Sequence, residues 1–399
     1  MQTRVLIIGG GVTGAGIARD LSMRGVDCVL IEKGEINSGA SGANHGLLHS
    51  GARYVSNDPE SAAHCSRESA LLKRLAPHLI NDCAGFFASV SGDDPEYAES
   101  FQELCAEAEI PCMEIGVLQA RMQEPALSPE LKRIFEVPDA AVDPYRLTLE
   151  TIRDAEARGA RILTRTELES LDARGGRIRT ASLKPQDRGG LIEVEAEIFV
   201  NAAGAWAPGI ARMAGAKLDM LLAKGTLTVF REKITNRVIN RLRRPGDADI
   251  LVPGRGVSIL GTTSVEVDDP DGVQPTAKEI EAMLKDASRL IPNLGRARIL
   301  GSYAGVRPLA DAGDSADDRR AGRGFEIIDH SEDGIANLFS VTGGKLTLFR
   351  LMAERASDRI CSVLGVNAAC LTSRERYPST AKEKWSLPPF RDNSFKLKA

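Results

Sequence analysis

The sequence lacks the cysteine spacing that metal sites and disulfide frameworks require. Seven cysteines stand at positions 28, 65, 83, 105, 112, 361 and 370. The number is odd and no pair is spaced C-x-x-C, so neither a zinc nor an iron–sulfur motif is written here, and reduced, mostly buried thiols are expected. Long hydrophobic runs are also lacking. The first one, residues 5–8, ends at Gly9 and is too short for a signal-peptide core. No later segment approaches the ~18 apolar residues of a membrane span. The expected location is cytoplasmic, at most peripheral at the inner face of the cell membrane through partners. Charge of one sign is lacking too: 51 Lys and Arg stand against 55 Asp and Glu, a net charge of −4. That gives no electrostatic reason to expect nucleic acid as a partner. The basic cluster Arg241-Leu-Arg243-Arg244 has no interleaved aromatics and reads as a solvated face.

What is present is enough apolar sequence for two domains, 43% hydrophobic residues in a chain of 399. Residues 4–8 read as a buried parallel strand, 14–24 as a helix and 28–31 as a second strand. Helices are expected over 61–79, 147–157 and 278–290. Strands are expected over 161–164, 199–202, 227–230, 250–252, 257–260 and 338–341, with a small antiparallel sheet over 166–198 marked by Gly-Gly turns. Thr342-Gly343-Gly344 is read as opening a helix that runs to about residue 364, and 311–323 as an exposed loop. The resulting fold class is α/β with an α+β second domain. A discontinuous Rossmann-like domain (1–85, 145–215, 325–375) is paired with a mixed-sheet substrate domain (86–144, 216–324), followed by a tail over 376–399.

The stretch Val5-Leu-Ile-Ile-Gly9-Gly-Gly11-Val-Thr-Gly14 is G-x-G-x-x-G between a strand and a helix. Gly9 makes the tight turn, Gly11 lets backbone approach a pyrophosphate, and Gly14 lets helix and strand pack closely. N–H groups at the helix start then face the phosphates. Glu32 follows 21 residues after Gly11, at the end of the second strand, where a carboxylate accepts from a ribose diol. An acid there argues against a 2′-phosphate and so against NADP. FAD and NAD share this signature. Two later features favour FAD: the strand ending Asn201-Ala-Ala203-Gly204-Ala-Trp206, and the Thr342-Gly343-Gly344-Lys345-Leu346-Thr347 turn, whose N–H dipoles could face the flavin C2 carbonyl. Trp206 itself reads as packing.

Further segments carry a resemblance: Asn44-His45-Gly46-Leu-Leu-His49-Ser-Gly-Ala-Arg53-Tyr54, Val142-Asp-Pro-Tyr-Arg-Leu147, Asp247-Ala-Asp-Ile-Leu-Val-Pro-Gly254, Gly261-Thr-Thr-Ser264 and Tyr303-Ala-Gly-Val-Arg307-Pro-Leu309. With the glycine motifs they span nearly all of residues 4–370. The chain resembles the FAD-dependent glycerol-3-phosphate dehydrogenase family, most of all the flavin subunit of its anaerobic branch. The resemblance implies oxidation of sn-glycerol 3-phosphate at C2 to dihydroxyacetone phosphate, hydride passing to flavin N5. It implies non-covalent FAD held by Gly9, Gly11, Gly14, Glu32, Lys33, Ser41, Asn44, His45, Gly46, Ala203, Gly204, Gly343, Gly344, Lys345, Leu346 and Thr347. It also implies that Arg307 binds substrate beside the flavin, with Arg53, Tyr54 and Lys345 as further substrate contacts. His49 has two readings, an acid–base group or a histidine that fixes the flavin loop, and His45 has the same two.

Two departures limit the transfer. Aerobic relatives often carry histidine after a Lys-Gly-Ser/Thr step, where this sequence has Leu227 after Lys224-Gly-Thr. Longer anaerobic subunits continue into a cysteine-rich domain, whereas this sequence shows Cys361 and Cys370 and stops at Ala399. A quinone, an iron–sulfur partner protein and oxygen therefore all stay open as electron acceptor. Two alternative functions also stay open: a 2-hydroxy-acid (L-2-hydroxyglutarate-like) or amino-acid oxidase on the same fold, and a non-catalytic flavin subunit of a complex.

Overall fold

The computed structural model describes residues 1–310 and 324–378. Among these residues two large sheets dominate. The first has eight strands, with Gln2–Ile8 at its centre. That strand pairs in parallel with Cys28–Ile31 on one side and with Ile192–Asn201 on the other. Strands covered on both faces should be continuously apolar, and residues 5–8 and 28–31 are all buried. Arg161–Leu163 extends this sheet beyond Cys28–Ile31. On the far edge of Ile192–Asn201, its first half pairs antiparallel with Arg177–Pro185, and its last residues pair parallel with Leu338–Gly343. The small antiparallel sheet and the strand expected at 199–202 are therefore joined through one continuous strand. Period-2 patterning could not show this, because the strand passes from a half-exposed to a fully buried environment.

The second sheet has nine strands among the described residues. Its spine is Met220–Phe230 paired antiparallel with Ile299–Ala310 along nearly their whole lengths. Val238–Arg241 runs parallel to Gly85–Val90, which makes the sheet mixed. Gly85–Val90 and Leu131–Val137 also join this sheet, with the helix Pro95–Glu107 between them in sequence. The core on this side gathers Phe86, Leu131, Ile134, Phe230, Leu251, Met283 and Leu294.

Several element bounds differ from expectation for local reasons. The first helix starts at Val12, directly after the glycine turn, and runs to Met23. The helix expected over 61–79 is Pro59–Leu75, capped by Asp58 accepting from the Ser61 N–H, and a separate 3₁₀ turn at Pro77–Leu79 follows where proline cannot continue it. The helix near 278–290 is Ala277–Ala287, started by a capping box of Thr276 and Glu279. Thr342-Gly343-Gly344 does not open an α-helix directly. Gly343 still belongs to the strand, a 3₁₀ turn at Leu346–Leu348 intervenes, and the helix Phe349–Leu364 begins after it. The first residues of the segment expected as a tail pack on the core. Tyr377 is buried, its N–H donates to the Leu75 carbonyl at 3.0 Å, and its ring lies under the Arg19 guanidinium at 4.1 Å. The loop expected at 311–323 and residues 379–399 of the expected tail lie outside the described residues.

Of the basic cluster at 241–244, only Arg244 is exposed as a solvated face would be. Arg241 is buried in a bidentate pair with Asp93, with bonds of 2.6 and 2.8 Å, and Arg243 pairs with both Asp249 and Asp286. Arg241 and Arg243 satisfy the buried carboxylates of Asp93 and Asp249, which composition alone cannot reveal.

Candidate active site

In an open parallel sheet, ligands gather beyond the carboxyl ends of the strands. A cavity of about 500 Å³ lies there, lined by Gly9, Glu32, Ala202 and Val341 at the ends of four parallel strands. That is within the ~300–1,000 Å³ range of small-molecule and cofactor sites. Its other wall comes from the second sheet, through Gly225, Leu227, Thr262, Gly305 and Arg307.

The glycine turn is shaped by close approach. Gly9 has φ of 118°, and a Cβ there would stand 2.5 Å from the Ala202 carbonyl oxygen. A Cβ on Gly14 would stand 2.0 Å from the Gly9 oxygen. Gly14 thus acts from behind the cavity, while Gly9 and Gly11 line it. The helix-start donors are not all directed at the cavity, since the Val12 N–H donates to Ser41 Oγ at 3.0 Å. Glu32 is buried and accepts from the Gly10 and Gly34 N–H groups, both at 2.8 Å, and from Ser38 Oγ at 3.0 Å. A carboxylate has about four acceptor sites, so these bonds fix Glu32 at the cavity wall with capacity left for a ribose hydroxyl.

Asn44 spends its side chain on its own loop, donating to the Ala40 and Ser41 carbonyls and accepting from the Gly46 N–H. Gly46 and Thr347 do not line the cavity. Gly46 packs against the Val142 carbonyl at φ of 72°, and Thr347 Oγ1 accepts from the His49 N–H at 3.1 Å. Lys33, Ser41, Ala203, Gly204, Gly343, Gly344, Lys345 and Leu346 all reach the cavity. Trp206, read as packing, lines it as well: its ring lies 4.0 Å from Lys33 Nζ, and its Nε1–H donates to Asp271 at 3.1 Å.

The polar end collects residues from both sheets. Arg53 lies on the 3₁₀ turn Ala52–Tyr54, entered through Gly51 at φ of 99°. Its Nη2 donates to Asp249 Oδ2 at 3.1 Å and to the Gly246 carbonyl at 3.0 Å. Asp249 also takes Arg243 Nε at 2.8 Å, so one buried carboxylate orients two guanidiniums. Tyr54 OH lies 3.3 Å from His49 Nε2, and Lys345 Nζ stands 4.3 Å from the Tyr54 ring centre. Arg307 donates to Thr262 Oγ1 at 3.3 Å, to the Thr263 carbonyl at 3.0 Å and to Ser264 Oγ at 2.5 Å.

His45 lines the same cavity, and its Nδ1 accepts from the Leu47 N–H at 3.2 Å. Burial above all, with Arg53 and Arg307 adding to it, lowers its pKa from 6.5 to about 3. It is therefore neutral at physiological pH, and its proton sits on Nε2 because Nδ1 is an acceptor. A ring so disposed donates rather than accepts, which favours the loop-fixing reading for His45.

Sequence reasoning passed over Asp249 and Thr262–Ser264 as site residues, although both lie in segments that carried the resemblance. Asp249 holds Arg53, and the threonine–serine loop holds Arg307.

A glycine turn and an acid at parallel strand ends, facing the second sheet across one cavity, define a dinucleotide-binding protein. Residues 4–359 match the family described as FAD dependent oxidoreductase. In Haemophilus influenzae, one component of the anaerobic glycerol-3-phosphate dehydrogenase is 41% identical over 387 residues, covering 96% of this chain and 69% of that one. The corresponding component in Escherichia coli K12 is 42% identical over 394 residues, covering 96% and 73%. Among solved structures, the glycerol-3-phosphate dehydrogenase of Bacillus halodurans complexed with FAD aligns with a TM-score of 0.74 at 26% identity, covering 94% of this chain and 67% of that one. The chain belongs to the FAD-dependent oxidoreductases and, within them, to the family of these anaerobic glycerol-3-phosphate dehydrogenase components. Among the described residues, no helix is long and apolar enough to cross a membrane.

The residues present fit FAD. Gly9 and Gly11 bring bare backbone to the cavity, Glu32 is held at its wall with acceptor capacity for a ribose diol, and Gly343 and Gly344 line the same cavity.

Proposed function

We propose that this chain oxidises sn-glycerol 3-phosphate at C2 to dihydroxyacetone phosphate. The observation that carries the reading is the convergence of Arg53, Arg307 and Lys345, with His49 and Tyr54, on the cavity that the dinucleotide cradle also lines. FAD, when bound, supplies the two-electron oxidant that takes hydride from a carbinol carbon. The chain supplies the remainder. Three cations suit a small dianion, and the permanent charge of the Arg307 guanidinium favours phosphate or a developing alkoxide. His49 accepts the hydroxyl proton. Its ring is set for this by the Tyr54 hydroxyl at Nε2, while Thr347 pins its backbone. The strand-end residues Ala203 and Gly204 and the turn from Gly343 to Leu346 hold the cofactor against this polar end.

FAD is held without a covalent bond, through the glycine turn, Glu32 and the turn from Gly343 to Leu346. Electrons leave to a quinone or a partner protein. The relatives are named as subunits, which supports this reading, and any membrane contact is made through that partner. The test is anaerobic addition of glycerol 3-phosphate to the purified flavoprotein, beside L-2-hydroxyglutarate. Glycerol 3-phosphate should bleach the flavin band. An unbleached band with glycerol 3-phosphate, or bleaching by the hydroxy acid alone, refutes the reading.

A further inference from the structure

A carbonyl can aim a guanidinium only as well as its own peptide is held. The Thr263 carbonyl, which accepts from Arg307 Nη2 at 3.0 Å, belongs to a buried residue whose hydroxyl is bound on both sides. Thr263 Oγ1 accepts from the Thr226 N–H at 3.0 Å and donates to Glu279 Oε1 at 3.3 Å. Glu279 is the third residue of the helix Ala277–Ala287, and its Oε2 closes the capping box, accepting from the Thr276 N–H at 2.9 Å and the Thr276 hydroxyl at 2.7 Å. A cap needs nothing more. Yet the same carboxylate also takes Lys224 Nζ at 3.0 Å, in a pair whose side chains are only 11% and 12% exposed. Lys224 lies on the strand Met220–Phe230, next to Ala223, and Ala223 is the cross-strand partner of Arg307. Its ammonium donates in addition to the Gln274 carbonyl at 3.2 Å. Helix start, strand and substrate loop are thus tied through one enclosed carboxylate, and two of its bonds serve no capping purpose.

We propose that Glu279 and Thr263 are positioning residues for Arg307, setting the direction in which its guanidinium meets an anionic substrate. The proposal rests on the reading of Arg307 as a substrate-binding group. Lys224 anchors Glu279, Glu279 holds the Thr263 hydroxyl, and the Thr263 carbonyl then faces Arg307. A small misplacement of a binding group costs affinity and rate without unfolding the protein.

The experiment measures the Kd of dihydroxyacetone phosphate from its perturbation of the oxidised flavin spectrum, alongside KM and kcat with glycerol 3-phosphate and a dye acceptor. The variants are Thr263→Val, Thr263→Ser, Glu279→Gln, Arg307→Ala and the double variant Arg307→Ala/Thr263→Val, all as flavin-loaded full chain. Thr263→Val should weaken the Kd about tenfold, the scale of one charge-assisted hydrogen bond, with flavin content unchanged. Thr263→Ser, which keeps the hydroxyl, should lie within about twofold of the unsubstituted protein on the same scale. In the Arg307→Ala background the Thr263→Val effect should vanish, because the two act as one unit. Glu279→Gln keeps an acceptor for the cap but loses the charge, so it should weaken Kd and KM and carries the test if Thr263→Val fails to fold. A weakened Kd in Arg307→Ala with an unchanged one in Thr263→Val and Glu279→Gln overturns the proposal. Equal losses from Thr263→Val in both backgrounds reduce it to a structural role and overturn it too. An unchanged Kd in Arg307→Ala overturns the reading of the site beneath it.

Discussion

Replacing Gly14 by alanine sets two opposing effects against each other. Within a helix, Gly→Ala is favourable by about 1 kcal/mol, because alanine loses less backbone freedom on folding. Against that, the new Cβ would stand 2.0 Å from the Gly9 oxygen and 3.4 Å from Ile7 Cγ2. Ordinary contact distances are about 3.5 Å, so helix and strand must separate by more than about 1 Å. The helix cannot back away. One turn face is pinned at Gly16, where even a methyl would lie 3.0 Å from Ala353 Cβ and 3.2 Å from Phe349 Cδ2. Overpacking of this kind costs about 1–3 kcal/mol, and a contact with rigid backbone belongs at the top of that range. The net expectation is a loss of about 2 kcal/mol, or roughly 4–8 °C in Tm for a domain of this size. Displacing the helix start also moves its N–H groups, so FAD affinity should fall at least about tenfold, as when one charge-assisted hydrogen bond is lost. Differential scanning calorimetry with and without added FAD, and flavin absorbance per chain, measure both. Gly116→Ala is the control, since a Cβ there meets nothing within 4 Å. An unshifted Tm and full flavin content in Gly14→Ala would refute the reasoning.

Arg307→Ala should retain FAD and lose nearly all turnover; flavin content and dye-linked rates decide it, and wild-type-like turnover removes Arg307 from the site. Asp249→Asn leaves Arg53 and Arg243 without their shared buried carboxylate, so urea unfolding should show a loss of about 3–5 kcal/mol, whereas a change within experimental error would contradict the network. The lowered pKa of His45 makes stability pH-dependent. Its contribution is fully present above 6.5 and is lost as pH falls toward about 3, because in that window the unfolded chain binds a proton that the folded chain refuses. The urea midpoint should therefore drop between pH 7 and pH 5, and drop less in His45→Gln; equal drops would show that His45 is not the group responsible.

The cofactor half of the site could be read because its requirements are local. A turn at φ of 118° and a helix start packed on a carbonyl allow glycine at Gly9 and Gly14, and such constraints appear as spacing. Likewise residues 28–31, buried on both faces, could be nothing but a strand once the glycine turn was recognised. The long strand Ile299–Ala310 was missed for the opposite reason. It carries Gly301, Gly305 and Pro308 among its residues, which weaken any strand pattern, and its stability comes from pairing with a strand some eighty positions earlier. Gly305 is there because Ala43 presses against it, with 2.6 Å from Ala43 Cβ to where a side chain would begin. Arg53 and Arg307 could be named from the resemblance. What holds each of them, Asp249 in one case and Thr263 with Glu279 in the other, depends on tertiary approach and leaves no periodic trace.

The strand Leu338–Gly343 joins the first sheet against Ile192–Asn201, which itself lies beside Gln2–Ile8. This order has a consequence for synthesis. A ribosome that has made the glycine turn must add more than three hundred residues before the strand leading to Gly344 and Lys345 emerges. At about 5–20 residues per second, the growing chain spends tens of seconds with the edge of its central sheet unpaired. Through that interval the nascent protein exposes apolar strands without the means to retain its cofactor. Chaperone dependence and sensitivity to premature release should therefore persist until Leu338–Gly343 has been added, and flavin should be retained only by chains that have passed that point.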